Sequence, residues 1–184
     1  MTDDIQERLH IAKTAVSSFI HNNIDTEITS RDEIIGRIQK LIPPMALVGM
    51  GGSKTLDELG LIEFFRNSSG YHFLDRFKPG LSPEEKREIE KKAMLADWFL
   101  SGSNALTVDG KIVNIDLWGN RVAPLLFGPN NVLIICGINK LCSSLDEAIQ
   151  RAKNTAAVLN NRRFNTDNPC IKTGICMDCK SEKR

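Results

Sequence analysis

Met45 to Gly49 is a short apolar run that ends in glycine. Gly51-Gly52-Ser53 follows it, and Thr55 with Glu58 then offers a helix start. An unbroken apolar run of this length predicts a strand buried on both faces, as in a parallel sheet. The chain must pass from that strand into a helix within a few residues. Few fold classes do this, and layered α/β architectures are foremost among them.

The flanking sequence agrees. Ile5, Leu9, Ala12, Val16, Phe19 and Ile20 recur at helical spacing. Ser30 and Glu33 read as a capping box for a second helix, with Ile34, Ile35, Ile38, Leu41 and Ile42 as its apolar stripe and Pro43-Pro44 as its stop. Helices are also predicted over Ile62–Arg66, after Ser82-Pro83-Glu84-Glu85, and after Ser144, with Leu145, Ala148, Ile149, Ala152 and Leu159 turned inward. Tyr71–Leu74, Trp98–Leu100 and Val132–Cys136 read as strands, the last of them buried. Asp109-Gly110 reads as the turn of a hairpin between Ala105–Val108 and Lys111–Val113. The alternation implies a largely parallel sheet in one α/β domain over residues 1–159. From Asn160 the periodicity fades, and residues 160–184 read as a cysteine-containing tail.

Composition removes several functions. Lys+Arg is 24 and Asp+Glu 23, without the positive excess that nucleic-acid binding needs. The longest uncharged run, Val122–Asn139, is interrupted by Pro124, Pro129, Asn130 and Asn131, which argues against a membrane span. Thr2, Asp3 and Asp4 follow the first methionine where a secretory leader would be basic, so a cytoplasmic protein is expected. Its five cysteines are then reduced or metal-bound.

Three stretches can carry chemistry. Gly51-Gly52-Ser53 leads into a helix, where backbone N–H groups can approach a phosphate or carboxylate. Ser53 stands where a P-loop has glycine, and a ligand-free tight turn would look the same. Ser101 to Arg121 is unusually rich in small polar residues. Within it, Asn104, Asn120 and Arg121 are candidate ligand contacts, and Asp116 is a candidate general base; turn chemistry alone would use the same residue types. Cys170, Cys176 and Cys179 have the C-x5-C-x2-C spacing of part of an iron–sulfur or zinc site, one thiolate short of a closed set. Cys136 and Cys142 read as a core cysteine and a weak candidate. His10, His21 and His72 suggest no shared metal, and the mixed run Glu84–Lys92 reads as a solvated helix face.

Several motifs in order resemble a known family: Gly51-Gly52-Ser53-Lys54-Thr55-Leu56 with Leu59-Gly60; Leu100-Ser101-Gly102-Ser103-Asn104-Ala105; Gly119-Asn120-Arg121-Val122-Ala123 with Phe127-Gly128-Pro129; Asn139-Lys140; and Pro169-Cys170 with Lys172-Thr173-Gly174-Ile175-Cys176 and Asp178-Cys179. The set is similar to the LUD (lactate-utilisation) domain family in its stand-alone form. The resemblance implies a three-layer α/β/α Rossmann-like sandwich, similar to ribose-5-phosphate isomerase and the coenzyme A transferases. It implies a ligand loop at Gly51, Gly52, Ser53 and Thr55, a role in lactate or hydroxy-acid oxidation, and iron–sulfur partner proteins. Similar chains continue after the final arginine with Ile-Cys-Asn, which supplies a fourth cysteine. The expected function is binding of a small anionic organic ligand. The alternatives are an isomerase or transferase acting on a phosphosugar or acyl-coenzyme A, with Asp116 as base or nucleophile, and a non-catalytic iron–sulfur or redox assembly module.

Overall fold

The structure is a computed structural model that describes residues 3–182; the readings on Thr2 and on the final arginine lie outside them. In chain order the elements are α1 (Asp3–His21), α2 (Ile34–Leu41), β1 (Leu47–Met50), α3 (Lys54–Glu58), α4 (Leu61–Asn67), β2 (His72–Phe73) and α5 (Pro83–Ala93). Then come β3 (Trp98–Ser101), β4 (Ala105–Thr107), β5 (Ile112–Val113), α6 (Val122–Leu126), β6 (Asn131–Ile134) and β7 (Leu141–Cys142). The chain closes with α7 (Leu145–Arg151), a π-helical segment (Ala152–Ala157), α8 (Val158–Arg163) and α9 (Cys170–Thr173). The fold is the Rossmann-like α/β class that the alternation of strands and helices predicts.

The chain divides into two compact units. One comprises Thr29–Gly102 and Trp118–Cys136 and holds a fully parallel sheet of order β2-β1-β3-β6. Strand alternation turns Val48, Met50 and Leu100 to one face. There they bury Ile38, Leu56, Leu61 and Phe65 of α2, α3 and α4. Gly49 points to the other face, against α5. A side chain at Gly49 would begin 2.8 Å from Ala93 Cβ, so glycine is what lets α5 sit this close to β1. The sheet therefore has helices on both faces, the α/β/α arrangement.

The other unit takes the chain up to Ile28, Ser103–Leu117 and everything from Gly137 onward. It has a second sheet, β5-β4-β7, in which β4 pairs antiparallel with β5 and parallel with β7. Gly110 adopts φ 83° in the expected hairpin turn, where a side chain would be strained and would meet Asn22 and Ser18. Ser103 Oγ donates at 3.0 Å to the carbonyls of Ala105 and Val113 and ties the entry to that hairpin.

Several local expectations are corrected. Ser30 does not cap α2: Glu33 accepts from Ser30 Oγ at 2.7 Å in a turn before the helix, and no side chain caps the helix itself. Leu41 lies on the exposed side of α2, while Ile42 just beyond it is fully buried. The helix after the glycine loop is capped by Ser53, two residues before Thr55, with Ser53 Oγ accepting from Leu56 N. The strand expected at Val132–Cys136 is observed at Asn131–Ile134, an outer strand whose first half is exposed because it has a neighbour on one side only. Val122–Leu126, which carried no helix signal, forms one with Pro124 in its first turn, where proline's missing N–H costs nothing. Leu159 is 58% exposed and Val158 is buried instead. The π-helical segment has a wider turn, so faces extrapolated at 100° per residue fall out of phase. Regular structure also continues beyond Asn160, in α8 and α9. No helix among the described residues is long and apolar enough to cross a membrane.

Candidate functional site

The parallel sheet defines where a ligand can sit. From β1 the chain proceeds to β2 on one side, while β3 pairs with β6 on the other. The carboxyl ends of β1 and β3 therefore flank a topological switch point, the place where open α/β sheets bind ligands. Gly51 lies at this end, and its N–H still donates to Leu100 O at 2.9 Å. Ser101 is fully buried beside it and donates to Gly102 O.

The loops after β1 and β3 touch. Gly102 packs directly under Ser53, so closely that any side chain at position 102 would collide with Ser53 Oγ. Ser53 is in extended conformation (φ −143°) and spends its hydroxyl on the α3 cap at Leu56 N. Arg121 precedes α6 and lays its stem across Gly51: a β-carbon at Gly51 would sit 3.0 Å from Arg121 Cγ. Arg121 Nη1 reaches Gly102 O at 3.4 Å. Gly51, Ser53, Gly102 and Arg121 thus form one cluster. Thr55 stands half-buried in the first turn of α3.

Sequence reasoning missed a second arginine. Arg76 follows β2, and its Nη1 would lie 3.2 Å from a β-carbon at Gly52. Its placement has a local cause. The Arg66 guanidinium holds Asp75 at 2.6 Å, Asp75 also accepts from Phe77 N at 2.9 Å, and the turn is fixed from both sides. The Asp75 carboxylate pushes Arg66 further into its charged range. Arg76 stacks over the Phe77 ring at 5.1 Å and pairs with Glu90 of α5, while its buried Nε finds no acceptor among the described residues. The available signal was the Asp75-Arg76 pair directly after a strand of the same sheet.

Asn120 turns to another partner: its Nδ2 donates to Glu90 Oε1 at 2.6 Å, so Asn120 and Arg76 share one carboxylate. Asn104 and Asp116 belong to the other unit. There Asn104 Oδ1 accepts from Ile115 N at 2.8 Å, the Asn104 N–H donates to Asn114 Oδ1 at 3.2 Å, and Arg151 donates to Asn104 O. Asp116 is half-buried in the segment after β5.

None of the five cysteines forms a disulfide. Cys170 is buried at the start of α9, Cys176 and Cys179 are partly exposed, and Cys176 N donates to Asn154 Oδ1 at 3.0 Å. Among the described residues no group of three or more His, Cys, Asp or Glu side chains is arranged to hold a metal. Cys142 lies buried in β7, and burial pushes its thiol pKa up, as for an inert core cysteine.

With this geometry in hand, comparison with family models identifies the class. The LUD domain matches residues 14–184, and the chain belongs to that family. Its role is thereby related to lactate utilisation at the level of the family. Comparison with curated proteins gave no match, and neither did comparison with solved structures.

Proposed function

We propose that the chain binds a small anionic organic ligand, a carboxylate or phosphate, at the loop Gly51-Gly52-Ser53 with Thr55, and that this binding serves the oxidation of lactate or a related hydroxy acid. One observation carries the reading. Two arginines from separate segments, Arg76 and Arg121, converge on adjacent glycines at the switch point of a parallel sheet. Glycine lets an anion approach the backbone there, and guanidinium groups bind carboxylates and phosphates bidentately. Ser53 spends its hydroxyl as acceptor on the α3 cap, so its O–H remains a donor for the ligand. Asn120, directly before Arg121 in the chain, is a secondary contact. The protein acts in the cytoplasm, where cysteine thiols stay reduced, alongside iron–sulfur partner proteins that take the electrons.

Calorimetric titration with L-lactate, pyruvate and inorganic phosphate tests the reading. At least one should bind, and Arg121→Ala should weaken it by about 1.5–3 kcal/mol, the range for hydrogen bonds to charged groups. Failure of all three to bind, or an Arg121→Ala variant that binds as the parent does, would overturn it.

A further inference from the structure

The basic stripe of α5 does more than face solvent. Pro83, Lys86, Arg87, Glu90, Lys91 and Met94 fall at i, i+3, i+4, i+7, i+8 and i+11, one face of a helix continued into its cap. In a core-facing helix such positions would be apolar. Here they line an open cleft of about 490 Å³, a volume suited to a ligand of nucleotide size. Glu84, Glu85, Glu88 and Lys92 occupy the remaining exposed positions of the helix. Arg76, Trp118 and Asn120 line the same cleft.

The charges and the indole point to one kind of molecule. Arg76 pairs with Glu90, and Lys91 with Glu88 at 2.6 Å, which leaves Lys86 and Arg87 as cations outside those two pairs. Two cations outside the pairs, with the paired Arg76 and Lys91 beside them along the same cleft, suit a ligand with more than one negative charge. Trp118 is 74% exposed, an unusual state for the largest aromatic side chain. It is followed by Gly119 at φ 76°, which turns the chain sharply at the cleft wall. An exposed flat ring beside a cluster of cations is the pairing that stacks a base and neutralises its phosphates.

We propose that this cleft is a binding site for a nucleoside polyphosphate, with Lys86, Arg87 and Lys91 on the phosphates and Trp118 stacked on the base. The inference goes beyond the small-anion reading; Arg76 and Asn120 are common to both, but Lys86, Arg87 and Trp118 take no part in the cluster around Ser53, so substituting them separates the two.

Equilibrium dialysis of the full chain with ADP, adenosine and pyrophosphate at fixed moderate salt tests it. ADP should bind, with adenosine and pyrophosphate each at least about tenfold weaker. The Lys86→Ala, Arg87→Ala double variant should lose about tenfold or more in ADP affinity, and Trp118→Ala about fivefold or more. All substituted side chains are exposed, and an unchanged circular dichroism spectrum checks that the variants fold. The proposal is overturned if ADP does not bind or if the double variant binds it as the parent does. Pyrophosphate binding equal to ADP and indifferent to Trp118→Ala would reduce the cleft to a bare anion site and overturn it too. A short single-stranded oligonucleotide that binds where ADP does not would assign the surface to nucleic acid instead.

Discussion

In the parallel-sheet unit, Ile38, Leu61 and Leu100 lose all contact with water and Phe65 is 1% exposed, whereas the cluster between β4, β7 and α7 in the other unit is made of Ala105, Cys142 and Ala148. The first is held by large apolar side chains, with Phe65 packed against the rings of Phe64, Tyr71 and Phe73. The second relies more on directed polar ties: Arg151 donates to the carbonyls of Asn104 and Asn139, and Ser103 bridges the hairpin. A well-packed core fixes backbone positions closely. That is what the Gly51–Ser53 loop needs, since a ligand cluster on a loop is only as well placed as the strand beneath it.

The difference can be broken by substitution. Phe65→Ala should cost about 3–5 kcal/mol, the range for removing a buried aromatic ring, read as a lower urea midpoint. A cost near 1 kcal/mol would mean that the aromatic cluster is not the support inferred for the sheet. Arg151→Ala should cost about 1.5–3 kcal/mol, since its carbonyl partners lose a charged donor. If the urea midpoint stays within error, the polar ties of the second unit are ornamental and the contrast fails.

Two smaller effects sharpen it. Ser82 and Glu85 form a complete reciprocal box at the start of α5, with Glu85 N donating to Ser82 Oγ at 3.1 Å and Ser82 N to Glu85 Oε2 at 2.7 Å. Ser82→Ala should cost about 1 kcal/mol, and its amide-exchange signature should stay within the first turn of that helix. Glu147 accepts from Ser143 Oγ and N, and these hydrogen bonds hold its pKa below the ordinary carboxylate value. A folded-state pKa below the unfolded one stabilises the fold above the usual carboxylate range, and that contribution disappears as pH falls through the lowered value. The carboxylate is exposed, so the effect on stability is small. In an NMR titration Ser143→Ala should move the Glu147 midpoint upward, and no movement would show that Ser143 is not the cause.

Local chemistry was well written in the sequence. Ser82-Pro83 with Glu85, Ser144, and Asp109-Gly110 all produce the caps and the turn they predict, because each involves groups within a few residues of one another. Longer reach defeated the reading. Arg76 was marked only by its place directly after a predicted strand; what makes it part of the site is β2 standing beside β1. Thr55 had the box spacing, yet Ser53 caps α3, with Gly102 of the loop after β3 packed against it.

The alternation of apolar runs with capped helices was enough to specify an α/β class, and the ordered motifs were enough to specify the family, because both are properties of the chain taken in order. Which residues share a site is another matter. The strand order β2-β1-β3-β6 creates the switch point, and it brings residues 51–53, 76, 102 and 121 within one cluster. The same fold sends Asn120 to Glu90 although its neighbour Arg121 lies on Gly51. Strand order is set by how faces bury against one another at long sequence separation, and nearest-neighbour patterns carry almost no record of that.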